Sequence, residues 1–87
     1  MNVIIIEDEA PAARRLQSLI KECDENVTIL TVLDSIANSI QWLNNNSLPD
    51  LIFMDIQLAD GLSFEIFNRY KVKSPVIFTT AYDKPAK

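Results

Sequence analysis

Leu51-Ile52-Phe53-Met54-Asp55 is a short apolar run that ends in a carboxylate. Pro49-Asp50 precede it and a more polar stretch follows, so it reads as a strand buried on both faces, the form strands take in a parallel sheet covered by helices. An acid at the C-terminal end of such a strand is unusual. Two further runs repeat the pattern: Val3-Ile4-Ile5-Ile6 leads into Glu7-Asp8-Glu9, and Val76-Ile77-Phe78 leads into Thr79-Thr80. If the three strands run parallel, their polar ends meet at one edge of the sheet, where open α/β folds bind their ligands.

The segments between these runs have helical spacing. Glu9-Ala10-Pro11 opens a first helix, with proline suited to the first turn and acids complementing the positive end of the dipole. Ala12, Leu16, Leu19, Ile20 and Cys23 form its predicted apolar stripe, which makes Cys23 a small core residue. Asp24-Glu25-Asn26 is a turn, and residues 27–33, β-branched and apolar, form a second strand. Asp34 and Ser35 offer an N-cap for a helix over 36–45 whose stripe is Ile36, Ile40 and Leu43, with Trp42 laid across its flank. After Asp55 a loop holds the chain's one glycine, Gly61, at a place that requires positive φ or an absent side chain, and Asp60 reads as a turn residue. A third helix is predicted over 62–70 with Ile66, Phe67 and Tyr70 as core contacts, and the last strand over 76–80. The order is βαβαβαβ. Right-handed crossovers then give an α/β domain with a doubly wound parallel sheet and helices on both faces.

Composition narrows the function. With 87 residues, 48% hydrophobic and 23% charged, the chain reads as one folded domain. A net charge of -4 and the lack of a basic run argue against direct contact with nucleic acid. The single cysteine allows no internal disulfide, no signal peptide is visible, and no apolar run nears the roughly 20 residues of a membrane span. The cytoplasm is the expected compartment.

The predicted fold gathers Glu7, Asp8 and Asp55. Two unit charges ~4 Å apart repel by about 4 kcal/mol at an effective dielectric near 20, so three carboxylates together need a cation or must take up protons, and a hard divalent ion is the economical answer. An oxygen-only donor set suits octahedral Mg²⁺, whose further ligands are commonly phosphate oxygens; zinc is disfavoured, since the chain has no histidine. A carboxylate can attack phosphorus to give an aspartyl phosphate. Asp55 is the candidate nucleophile, because it ends a central strand and is followed by a loop; alone, it would read as an acid capping that loop. Thr80 could donate a hydrogen bond to a phosphoryl oxygen, with Ala81 leaving room beside it, whereas Thr79 reads as ordinary strand sequence.

Ile6-Glu7-Asp8-Glu9, then Met54-Asp55-Ile56-Gln57-Leu58-Ala59-Asp60-Gly61, then Phe78-Thr79-Thr80-Ala81-Tyr82-Asp83 together resemble the receiver domain of two-component response regulators, a CheY-like, flavodoxin-like fold. The similarity is strongest to receivers that precede a LytTR-type DNA-binding domain. The resemblance implies a domain that accepts a phosphoryl group on Asp55 from a sensor histidine kinase and is not itself a turnover enzyme. It implies Mg²⁺ held by the side chains of Asp8 and Asp55 and the backbone carbonyl of Gln57, with Glu7 acting through water. It makes Thr80 the switch hydroxyl. Where many receivers carry proline, Ala59 stands here. The family continues through a fourth helix, a fifth strand ending in Lys-Pro and a fifth helix, so residues 1–87 are expected to be an incomplete receiver; Lys84-Pro85 lies only four residues beyond Thr80. Two consequences are expected: weakened phosphoryl transfer without the family lysine, and an open edge on the last strand that favours a homodimer or swapped assembly. Two rival readings stand beside this one. The first is an interaction module that switches without phosphate. The second is a Mg²⁺-dependent aspartate-nucleophile phosphohydrolase, disfavoured because Gln57 occupies the usual position of the general acid.

Overall fold

The computed structural model describes residues 1–79; Thr80, Ala81 and the residues after them lie outside that range. Four parallel strands form the main sheet: β1 (Asn2–Ile6), β2 (Thr28–Leu33), β3 (Leu51–Asp55) and, after two short strands, β6 (Val76–Thr79). Their spatial order is β2-β1-β3-β6. Three helices cross between them: α1 (Ala10–Cys23), α2 (Ile36–Asn45) and α3 (Glu65–Arg69). The predicted α/β architecture with a parallel sheet is therefore the observed one.

Alternation along β1 divides the core into two layers. Ile4 and Ile6 pack with Ile52, Met54, Ile36, Leu43 and Ile66 on the side of α2 and α3. Val3 and Ile5 pack with Ile20, Val27, Leu51 and Phe53 on the side of α1. The apolar runs are continuous because both faces of these strands are covered. Between Val3 and Ile4 the register with β2 shifts, so that Ile29 and Thr31 are partnered while Leu30 between them is not. Leu30 is accordingly exposed.

Five expectations need correction. Cys23 is exposed rather than in the core. The face of α1 that meets the sheet is Ala13, Leu16 and Ile20, not one running from Ala12 to Cys23. Leu19 and Cys23 border an apolar cleft of about 300 Å³ between α1 and the sheet. The third helix begins at Glu65, not at residue 62, because the chain first makes an antiparallel hairpin of β4 (Gln57–Leu58) and β5 (Gly61–Leu62). Phe67 is an exposed residue rather than a core contact, meeting the Phe78 ring edge-on at 6.3 Å. On α2 the fully buried residue between Ile36 and Leu43 is Ser39, while Ile40 is only half-buried. The Ser39 hydroxyl donates to Ser35 O at 2.7 Å, which satisfies it inside the core.

Other details match their sequence reading. Ser35 caps α2 by accepting from the Asn38 N–H at 3.1 Å. Gly61 has φ of 139°. Trp42 packs along the flank of the α2 cluster, and the Tyr70 hydroxyl donates to Leu43 O at 3.2 Å, tying the end of α3 to α2.

Candidate functional site

Strand register builds the site. β1 and β3 are parallel neighbours with Ile6 beside Met54, so Glu7 and Asp55 follow side by side. Alternation then sets their direction: Val3 and Ile5 share the α1 side with Leu51 and Phe53, and Glu7 and Asp55 continue those two series. The Glu7 N–H donates to Leu33 O at 2.8 Å, which carries the β1–β2 ladder past the end of β1. Its side-chain oxygen accepts from the Glu9 N–H at 3.2 Å, shaping the turn into α1 that contains Asp8. One oxygen each from Glu7, Asp8 and Asp55 lies within 4.8 Å of the other two. Glu7 and Asp55 are buried at 6% and 4% exposure, and Asp8 is half-buried.

Three carboxylates at this separation, two of them shielded from bulk water, repel one another more strongly than surface acids would. The donor set is hard and all-oxygen. Opposite ligand oxygens around octahedral Mg²⁺ are about 4.2 Å apart, close to the spread of this cluster, so the residues present fit such an ion. Thr79 on β6 is the neighbour of Asp55 across the sheet. Gln57, expected to offer its backbone carbonyl, is the first residue of β4, two positions past Asp55. Thr80 and Ala81, the expected phosphoryl-binding pair, lie outside the described residues.

The segment leaving Asp55 is held by contacts that the sequence did not signal. Both the backbone N–H and the hydroxyl of Ser63 donate to Ile56 O, at 2.8 and 3.0 Å. Ser63 is fully buried. The β4–β5 pairing joins Gln57 to Leu62 and Leu58 to Gly61, which leaves Ala59 and Asp60 at the tip. From there Asp60 reaches α2: its two carboxylate oxygens accept from the Ile36 N–H at 2.8 Å and the Ala37 N–H at 3.2 Å. The Ile36 N–H, followed by that of Ala37, holds the Asp60 carboxyl below its ordinary pKa, with a smaller attraction from Arg69 and some opposition from desolvation. Asp60 is thus a turn residue, as read, and also the second cap of a helix 24 positions earlier in the chain.

Comparison with known proteins gives the site its setting. The response regulator receiver domain model matches residues 3–87. The chain belongs to that family. It is 37% identical over 89 residues to the sensory transduction protein LytT of Bacillus anthracis, covering 99% of this chain and 35% of LytT. The chain therefore spans about a third of that relative's length. Among solved structures, the MaeR response regulator bound to beryllium trifluoride superposes with a TM-score of 0.74 at 25% identity, over 97% of this chain and 70% of MaeR. The anti-anti-sigma factor PhyR from Bartonella quintana superposes with a TM-score of 0.67 at 27% identity, over 88% of this chain and 31% of PhyR. Among the described residues no helix of this receiver is long and apolar enough to cross a membrane.

Proposed function

We propose that this receiver takes up a phosphoryl group on Asp55 from a sensor histidine kinase in the cytoplasm, and that the modified domain controls an output module of the LytTR, DNA-binding type. The observation that carries the reading is the convergence of Glu7, Asp8 and Asp55 within 4.8 Å at the C-terminal edge of the sheet. An Asp55 oxygen attacks the phosphorus of a phosphohistidine. The P–N bond breaks, its electron pair returns to the imidazole nitrogen, and a mixed carboxylic-phosphoric anhydride forms on Asp55. Bound Mg²⁺ would neutralise charge on the incoming phosphoryl oxygens. Asp8, Asp55 and the Gln57 carbonyl would hold that ion, with Glu7 acting through water. The Thr80 hydroxyl would donate to a phosphoryl oxygen, and Ala81 would leave space for it.

The test is incubation of the full-length protein with Mg²⁺ and acetyl phosphate, followed by intact-mass measurement, with beryllofluoride binding as a parallel readout. A single phosphoryl adduct on the wild type, absent from Asp55→Asn, is the expected result. A wild type that stays unmodified and binds no beryllofluoride overturns the phosphoacceptor reading, leaving an interaction module that switches without phosphate.

The similarity to PhyR favours a second reading of the output alone. PhyR is named an anti-anti-sigma factor, so a receiver of this kind can act by binding another protein. The discriminating measurement is which partner the phosphorylated full protein retains, a DNA duplex or a protein.

A further inference from the structure

We propose that Asp60 is a positioning residue of the acidic site: its carboxylate ties the segment leaving Asp55 to the first turn of α2, so cation binding and the order of the α2 N-terminus are coupled. The inference rests on the reading of Glu7, Asp8 and Asp55 as a Mg²⁺ site. It is carried by a continuous set of short contacts. The Ile56 carbonyl, one residue beyond Asp55, accepts two hydrogen bonds from buried Ser63. Because the peptide unit is planar, fixing that oxygen fixes the plane joining Ile56 to Gln57. Gln57 then pairs with Leu62, and the hairpin turns back within two residues, so its tip cannot shift without moving Gln57.

At the tip, Asp60 accepts from two adjacent α2 donors, Ile36 and Ala37. These are N–H groups that a helix leaves without partners in its first turn. Ser35 already caps the helix locally through the Asn38 N–H, so Asp60 is not required to start α2. What it adds is a tie between two distant segments. Gly61 brings the backbone close as well, since a Cβ there would lie 3.3 Å from Ile36 Cδ1. Leu58 and Ile36 share one buried cluster, which fills the space beneath the tie. A displaced Asp60 therefore frees the hairpin, then Gln57, and then the chain adjoining Asp55.

The experiment compares Mg²⁺ affinity, by calorimetric titration of the full chain, for wild type, Asp60→Ala, Asp60→Asn and Ser35→Ala. Ser35→Ala weakens the same helix end without touching the hairpin. Asp60→Ala is expected to lose about five-fold in Mg²⁺ affinity, the lower end of ordinary coupling between sites. Asp60→Asn keeps one acceptor oxygen and should recover part of the loss, while Ser35→Ala binds as wild type does. Coupling is reciprocal, so Mg²⁺ should raise hydrogen-exchange protection of the Ile36 and Ala37 amides in the wild type, a readout that needs no variant to fold. Equal losses in Asp60→Ala and Ser35→Ala, or Mg²⁺-independent protection of both amides, overturn the proposal. A wild type that binds no Mg²⁺ overturns the metal-site reading itself, and the two failures are thereby distinguished.

Discussion

Asp60 turns a geometric contact into a dependence on acid. Its two hydrogen bonds from α2 exist with the carboxylate ionised, and the Ile36 N–H above all holds its pKa below the ordinary value. A group whose folded pKa is depressed stabilises the fold fully above its unfolded value, about 3.9, and loses that contribution as pH falls through the folded value. Asp60→Ala should therefore be less stable than wild type near neutrality, with the gap closing below about pH 4. Paired urea denaturations between pH 2 and 7 measure this difference. A gap that is constant across the range would show that the ionised carboxylate is not what stabilises α2. The cap was not legible in the sequence: an Asp before a Gly announces a turn, and nothing local reveals that the turn tip lies against a helix 24 residues earlier. Glu7, Asp8 and Asp55 were legible, because an acid closing an apolar run needs no knowledge of the partner segment to stand out.

At the scale of elements, β1 and β3 were readable as uninterrupted apolar runs, since burial on both faces leaves no polar position to confuse the pattern. β6 was readable from its β-branched and aromatic run, although Ile77 and Phe78 are exposed. The β4–β5 hairpin was not. Strands of two residues have no periodicity, and Leu62 suits the start of a helix as well as a strand. For α1, helical spacing alone placed Leu16 and Ile20 on the inner side but also drew in Leu19 and Cys23, which are exposed, and the sheet selected Ala13, Leu16 and Ile20. Gly61 is the position where the hairpin depends most on residue type. At φ of 139° any side chain is strained, and a Cβ would press to 3.3 Å on Ile36 Cδ1. Gly61→Ala is expected to cost about 1–3 kcal/mol, the usual range for a residue held in a sparsely populated backbone region. The urea midpoint should fall with an unchanged slope, because the substitution alters the native state and not the surface exposed on unfolding. A midpoint equal to wild type would mean that the hairpin rearranges without loss.

For the molecule as a whole, the acidic edge of the sheet concentrates repulsion that the folded state must carry and the unfolded chain does not. Glu7, Asp8 and Asp55 are drawn within 4.8 Å only by folding. A cation that binds this cluster therefore binds the native state alone, and mass action makes it a stabiliser: at one hundred times its dissociation constant the gain is about 2.7 kcal/mol. In a domain of this size each kcal/mol moves the melting temperature by roughly 4–8 °C, so saturating Mg²⁺ should raise it by about 10–20 °C. Chelation should return it to the starting value. Asp8→Ala tests which residues hold the ion. With one of the three carboxylates removed, the Mg²⁺-dependent rise should be lost. Differential scanning calorimetry with Mg²⁺ and with chelator, on both proteins, reads all four values. If Asp8→Ala keeps the full Mg²⁺ shift, the ion is binding elsewhere and these three carboxylates are not its site.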